Sequence, residues 1–436
     1  MRFAKQLGFT GGGAGFASSA FGFENLKCAE ADAGCDPTMG FVRSPPHAFG
    51  SGYVQTLAEE MSWELQALRE QAIATPGVPV PLVSKGVDFG MIQADANGTL
   101  NLTEVVGVSA DLVVRPFQWR GIASNLRNFI RDAMNFHFSV QAKEFLDVGD
   151  RRTTMEDKDQ VEDEMTEGDI TAVATFLTFL RPPTESTAGL DAAQVALGRE
   201  AFFKVKCDSC HRPTLHLDKP VATIRDPRKD TKLLSEVTEM LHISPRSLEK
   251  ARESHGVSLT VPLSSGISPT LEKLAAMKRA RMSKGLSKDV GTLEMVPSLV
   301  EAVGGYARDL SRPDGPPETL PRLPEHDGGI DVPLYSDLKR HDMGSGLEES
   351  FAQKDDCGHE INGKLFLTRP LWGVADTGPW MHDGRALTLT EAIRAHGGEA
   401  SDELEAYEKL DERERVALRA FLSSLRLPTV PTKVGS

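Results

Sequence analysis

Residues 206–213 read KCDSCHRP, which places two thiols, Cys207 and Cys210, and the imidazole of His211 close together near the middle of a 436-residue chain. Three chemistries use such a cluster: a zinc knuckle, a redox dithiol and a covalently attached haem. Haem attachment needs two thiols that each add to a vinyl group, and an imidazole that reaches the iron from the same side. Cys-x-x-Cys sets the thiols about one helical turn apart and the adjacent His comes round to the metal, so Cys-x-x-Cys-His reads as haem c attachment. Zinc is the alternative, with Cys207, Cys210 and His211 joined by Cys357 or His359 from DDCGHE (355–360). Adjacent Cys and His, however, rarely both reach one small tetrahedral ion. A thioredoxin-like dithiol lacks its βαβ context here.

An iron held by His211 has a sixth position to fill. Met343, in YSDLKRHDMGSGL (335–347), is the leading candidate, because a Gly-bounded polar loop gives a methionine little reason to be core filler. His341, two residues away, competes, since imidazole also suits iron. A thioether there makes an electron-transfer centre, whereas an open position permits peroxide or oxygen chemistry. Met277 and Met282, in the basic stretch SPTLEKLAAMKRARMSK (268–284), read as ordinary helix residues.

Around the motif the pattern is helical. AAQVALGREAFFKV (192–205) runs into it, and DITAVATFLTFLRPP (169–183) carries Ile170, Val173, Ala174, Leu177 and Leu180 at helical spacing before its prolines. LTLTEAIRAHGG (387–398) opens on Thr388 with Glu391 as reciprocal cap and closes on Gly397-Gly398. DERERVALRAFLSSLRLP (411–428) is an amphipathic terminal helix. The polar stretch 149–169 and the Pro-rich stretch SRPDGPPETLPRLPEHDGGIDVP (311–333) read as irregular.

Two segments recur in the same order. FLTFLR (176–181) matches FLSSLR (421–426), and LVVRPFQWRG (112–121) pairs with LFLTRPLWGV (365–374). Each of the second pair precedes a helical stretch, SNLRNFIRDAMNFH (124–137) in one case and LTLTEAIRAHGG in the other. The order predicts a duplicated, mostly helical module. Within it Met91, in KGVDFGMIQADANG (85–98), stands before Arg115 much as Met343 stands before Arg369, which makes Met91 a counterpart ligand for a second haem. Asp95 and Asn97 read as a turn, because the full calcium-loop pattern fails.

Composition sets outer bounds. With 40% apolar residues, 26% charged residues and a net charge of -14, the chain is of ordinary soluble type, and its acidity argues against nucleic acid as a partner. No apolar run is long enough for a membrane span. Five cysteines are too few for a disulfide scaffold, although Cys28 and Cys35 would close a small loop in an oxidising compartment. The first residues, MRFAKQLGFTGGGAGFASSAFG, make a poor secretory signal, because the Gly run interrupts the apolar core.

YSDLKRHDMG (335–344), TRPLWGVADTGPWMHDGRALTLTEAIRAHGGEA (368–400) and CDSCHRP (207–213) together resemble the di-haem oxidoreductases, also labelled thiol oxidoreductases. These are relatives of the bacterial di-haem cytochrome c peroxidases and MauG-like enzymes. The resemblance is strong over residues 190–427 and thinner over 80–185. It implies an all-α fold of tandem cytochrome c-like domains with long loops, placed in the periplasm or outside the cell. The boundaries would be 1–185, without its own Cys-x-x-Cys-His, and 186–436, with the covalent haem. His211 would be the proximal ligand and Met343 the second. His382 and Arg385, in HDGR, would lie by the haem edge and hold propionates or tune the site. Calcium between domains is also implied, with no ligand placed. His137 is a weak candidate for moving protons at a second site, and Trp119 and Trp372 are candidate bridges between centres.

One attachment motif is present where the family has two. The resemblance therefore implies either a further haem-bearing segment or subunit, or a first module without haem. The expected function is a c-type haem oxidoreductase with peroxide or small-molecule redox chemistry at a second haem. Its partner would be an electron donor or acceptor, protein or small molecule. The alternatives are a non-enzymatic electron carrier or haem-bearing subunit of a larger assembly, and a zinc-stabilised binding protein.

Overall fold

The computed structural model describes residues 44–138, 140–146, 161, 163–224, 306–309, 323–349 and 353–428. Cys28, Cys35 and the basic stretch with Met277 and Met282 lie outside the described residues. The described chain opens with α1 (Ser51–Ala74), which buries Leu57, Met61, Leu65 and Ala72 along one stripe. An antiparallel hairpin follows, β1 (Val80–Ser84) and β2 (Val87–Ala94), extended by β3 (Leu100–Asn101). Its two-residue turn, Lys85-Gly86, takes φ of 50° and 75°, the pair of positive angles that a tight hairpin turn demands.

Next come α2 (Leu126–Phe138), the short α3 (Lys143–Leu146), α4 (Glu167–Thr178) and β4 (Thr184–Glu185). Thr166 and Asp169 cap α4 reciprocally, the Thr hydroxyl accepting the Asp169 N–H. Asp191 caps α5 (Ala192–Lys204), which leads into a 3₁₀ turn, Cys207–Ser209. Nine short strands follow: β5 (Leu215–Leu217), β6 (Val221–Ile224), β7 (Tyr306–Asp309), β8 (Glu325–His326), β9 (Gly329–Val332), β10 (Arg340–Asp342), β11 (Gln353–Lys354), β12 (Glu360–Ile361) and β13 (Leu365–Leu367). The chain closes with α6 (Leu389–Arg394), α7 (Ser401–Glu408), α8 (Glu412–Leu422) and β14 (Leu425–Arg426). No helix among the described residues is long and apolar enough to cross a membrane.

The all-α expectation is wrong. Six small sheets stand beside the helices among the described residues, so the fold is mixed α and β. Most of these strands have two to five residues, too short to show a period-2 pattern, and they sit in Gly- and Pro-rich stretches that read as coil. Strands β8 and β9 lie inside the Pro-rich stretch 311–333. They are joined by Asp327-Gly328 at φ 48° and 81°, a second tight hairpin turn.

Among the described residues, two hydrophobic clusters stand out. The larger joins α1, the β1–β2 hairpin, α2 and α4 to Leu215, Leu217, Ile330, Val332 and Trp372, so it draws residues from both sides of position 185. The smaller is the crossing of α5 and α8, where Val195, Phe202, Leu418 and Phe421 meet Tyr335 and Tyr407. Phe202 and Phe421 pack edge to face with centroids 5.4 Å apart. The repeated segments share a local form. Each tryptophan-bearing stretch is closed by an antiparallel bridge, Phe117–Ala123 or Trp380–Ala386, just before a helix starts at Leu126 or Leu389. The ends of the two Phe-Leu segments meet as β4 pairs with β14, Leu425 opposite Glu185.

Candidate functional site

At the end of α5, Lys206 turns left-handed (φ 59°) and throws the chain into the Cys207–Ser209 turn, where the His211 N–H donates to the Cys207 carbonyl at 2.9 Å. This fold-back brings Cys207, Cys210 and His211 onto one wall of a cavity of about 270 Å³. Phe202, Leu371, Leu389, Ile393, Leu404 and Leu418 supply much of its apolar lining. Neither thiol of the motif is in a disulfide. Burial, reinforced by the charges of Asp208 and Glu403, pushes the Cys207 thiol up to about 12.

His211 points its Nδ1 at the Tyr335 carbonyl, 3.1 Å away. A carbonyl only accepts, so Nδ1 carries the proton and the Nε2 lone pair is left for a ligand. Burial, then the neighbouring His396, lowers the ring's pKa to about 4, which keeps it neutral. His396, just past the end of α6, repeats the arrangement. Its Nδ1 lies 2.9 Å from the Ala392 carbonyl, and burial lowers its pKa too. The His211 and His396 ring centroids are 6.4 Å apart at 61°. Two imidazoles that share one metal ion, each bonding it at about 2 Å, hold their ring centres roughly 6 Å apart. The apolar cavity, the paired thiols and the two neutral imidazoles fit a haem.

Met343 lines the same cavity, at the end of β10, with its N–H donating to the Lys364 carbonyl at 2.9 Å. His341 also lines it, but both of its nitrogens are engaged, Nε2 by Asp337 at 2.8 Å and Nδ1 by Glu399 at 2.7 Å. Burial alone would lower its pKa, yet the Asp337 and Cys210 hydrogen bonds and charges lift it to about 11. A ring that donates from both nitrogens has no lone pair for iron.

His47, Trp119, Trp372, Trp380 and His382 line the same cavity. His47 Nε2 donates to the Trp372 carbonyl at 2.8 Å, and its Nδ1 is buried with no hydrogen-bond partner among the described residues. Burial, partly opposed by that hydrogen bond, lowers its pKa to about 4. The His382 ring lies over Phe366 at 4.7 Å, with Nε2 3.5 Å from Glu349. Arg369 donates to the Pro116 carbonyl at 3.2 Å and stands over the Trp119 ring at 5.9 Å. Among the described residues no carboxylate forms an ion pair with it, and desolvation lowers its pKa to about 10. A buried cation without a counter-ion is costly, so this guanidinium suits an incoming carboxylate.

Other expected site residues lie apart. Met91 is on β2, 40% exposed, and is not among the cavity-lining residues. Arg385 is at the surface, paired with Asp383 at 2.7 Å and donating to the Gly346 carbonyl. His137 falls on α2, with its side chain outside the described residues. Cys357 and His359 sit on the β11–β12 turn, where Asp355 accepts both backbone N–H groups, and they are not brought to Cys207 and His211. Asp95 accepts the N–H groups of Asn97 and Thr99, as expected for a turn.

Three cavity residues escaped the sequence reading: His396, His47 and Arg369. His396 was visible as an imidazole between a helix end and Gly397-Gly398. Arg369 was visible as the repeat partner of Arg115. His47, in SPPHAFG (44–50), had no local signal.

Residues 329–425 match the family described as "Di-haem oxidoreductase, putative peroxidase". No curated protein and no solved structure matches the chain. The matched span covers less than a quarter of the chain. It holds His341, Met343, Arg369, His382 and His396, and it excludes Cys207–His211. That family's description carries a haem cofactor and an oxidoreductase activity, and residues 329–425 of this chain are similar to it.

Proposed function

We propose that the chain is a c-type haem oxidoreductase of the peroxidase-like class, with an electron-transfer haem tied to Cys207 and Cys210 and held between His211 and His396. One observation carries this reading. Two neutral, half-buried imidazoles stand edge to face, ring centroids 6.4 Å apart, beside a paired-thiol motif, each with its Nδ1 already committed to a backbone carbonyl.

Cys207 and Cys210 would hold the haem as thioethers, each S–H added across a vinyl group with sulfur on one carbon and hydrogen on the other, which needs no oxidant. Bound there, the haem supplies one-electron chemistry at its iron. Tyr335 and Ala392 fix both imidazole tautomers through their carbonyls, the usual outer-shell support for a metal-bound histidine. Arg369 offers its charge to a haem carboxylate. His382 lies along the cavity wall to tune the site, whereas Arg385 supports the HDGR turn from outside.

The part of the cavity lined by His47 is the proposed place for peroxide or another small molecule. His47 holds an open lone pair at Nδ1 there, and Trp119 and Trp372 lie in the same walls. A second haem would come from a further haem-bearing segment or subunit. A periplasmic or extracellular location and an electron-donor or electron-acceptor partner belong to the same proposal, supported by the attachment motif and the family match; the division at 185/186 rests on the sequence order alone, and the larger core crosses it. The second reading puts Met343 in place of His396, since it lines the same cavity. It would give a higher potential, because thioether ligation raises it.

Intact mass of the chain made with a haem-attachment system tests the proposal. We expect one haem that survives denaturation, lost in Cys207→Ala/Cys210→Ala. A chain without covalent haem, or one holding zinc on those thiols, contradicts it.

A further inference from the structure

Away from the haem cavity, His216, His326 and Asp331 meet on the outer face of the three-stranded sheet β5-β9-β8. The strand pattern puts them there. Leu215 and Leu217 point into the larger core, so His216 between them points out. Ile330 and Val332 do the same on either side of Asp331. In the β5–β9 register His216 stands directly opposite Asp331. The tight Asp327-Gly328 turn then brings His326 round to the same carboxylate.

The two carboxylate oxygens are divided between the rings. Asp331 Oδ1 lies 2.8 Å from His216 Nδ1, and Oδ2 lies 3.1 Å from His326 Nδ1. The rings stand nearly perpendicular, with centroids 6.3 Å apart at 79°. Gly329 leaves the room for this: a Cβ there would stand 2.7 Å from His216 Nε2 and push the ring away. Two more carboxylates approach the cluster, Asp218 at 3.6 Å from His216 Nε2 and Asp327 at 3.8 Å from His326 Nε2. Lys85 takes the other oxygen of Asp218.

We propose that His216, His326 and Asp331 bind a divalent first-row transition ion, with Zn²⁺ the fitting member, and that the ion ties the β8–β9 hairpin to β5. Two imidazoles and a carboxylate are the donor set of such ions, not of calcium or magnesium, which take oxygen ligands. All three ligand atoms lie within 4.8 Å of one another, on rigid strands and open to solvent for entry. The surrounding acidic groups favour a cation. Binding displaces the protons now shared between the imidazoles and Asp331. Strand β5 follows closely after His211, so the ion would also stiffen the chain where it leaves the attachment motif. The inference does not depend on the haem reading.

Calorimetric titration of the purified full chain with Zn²⁺ tests it, because removing a ligand costs at least as much as losing an outer-shell partner. Wild type is expected to bind one ion at least about a hundredfold more tightly than His326→Ala or His216→Ala. Exposed His326 borders a surface turn, so its replacement leaves the fold intact and the circular dichroism unchanged. With Cu²⁺ as probe, the paramagnetic resonance spectrum of wild type should show coupling to two imidazole nitrogens, and that of His326→Ala to one. Equal Zn²⁺ binding in wild type and both variants, or a Cu²⁺ spectrum without nitrogen coupling, overturns the proposal.

Discussion

Gly198 of α5 packs against the carbonyl of Ala417 in α8 so closely that a Cβ at 198 would overlap that oxygen and stand 2.8 Å from the Phe421 Cβ. The crossing positions α5, and α5 feeds the attachment motif. Gly198→Ala should therefore push the helices apart and cost about 1–3 kcal/mol, the range for overpacking. Gly168→Ala is the contrast. Its nearest atom beyond its chain neighbours would be 3.5 Å away, within a helix. It should be neutral, or stabilising by up to ~1 kcal/mol. Thermal unfolding of the two variants decides the matter; similar effects would refute the close crossing.

Asp356 joins the two halves of the repeat. Its Oδ1 accepts Arg115 Nε at 2.6 Å, and its Oδ2 accepts the Ser124 N–H at 2.8 Å and Asn128 Nδ2 at 3.0 Å. Asp356→Ala leaves the buried Arg115 short of a partner and should cost about 3–5 kcal/mol in urea unfolding. The Glu405–Lys409 pair is just as short, at 2.7 Å, but exposed on both sides. Removing it should leave the urea midpoint essentially unmoved, because water and salt screen an exposed pair.

His341 makes stability depend on pH in the alkaline direction. In the chain with its thiols free, burial is outweighed by the hydrogen bonds and charges of Asp337 and Cys210, and its pKa rises from 6.5 to about 11. A raised pKa contributes stability fully below the unfolded value of 6.5. That contribution falls as pH rises from 6.5 toward about 11. The gap in unfolding free energy between wild type and His341→Gln should therefore narrow with pH, by at most about 1.4 kcal/mol per unit. A gap that stays constant from neutral to alkaline pH would show that the ring is not held as a cation.

Arg369 is a buried cation beside the proposed haem. A nearby positive charge disfavours the oxidised iron, so Arg369→Leu should lower the haem potential by roughly tens of millivolts. Redox titration measures this. An unchanged potential, with an unchanged spectrum, would mean that the guanidinium serves only the Pro116 and Gln118 carbonyls.

The helices were legible because their signals are local. The Thr388–Glu391 capping box and the Ala192–Lys204 helix stand where the sequence puts them. In α8 the buried face is Ala417, Leu418, Phe421 and Leu422, with Val416 at its exposed edge. The strands were not legible as a class, although Lys85-Gly86 and Asp327-Gly328 were both two-residue turn signals. The 24-residue α1 was missed because its first nine residues are buried on every side, polar Gln55, Thr56 and Glu59 among them, so no clean apolar period marks it. For the site, the residues singled out in the sequence that line the cavity are Cys207, Cys210, His211, His341, Met343, His382, Trp119 and Trp372. His396, Arg369 and His47 join them only through the closing of the fold. No spacing rule links residues so far apart in the chain.

The ferric haem spectrum of His396→Gly, with and without added imidazole, tests the central claim most directly. A haem clamped between His211 and His396 is low-spin in wild type and in Met343→Leu. It turns high-spin in His396→Gly and returns to low-spin when imidazole fills the space. A low-spin spectrum that persists in His396→Gly but is lost in Met343→Leu would contradict the account and make the methionine the ligand.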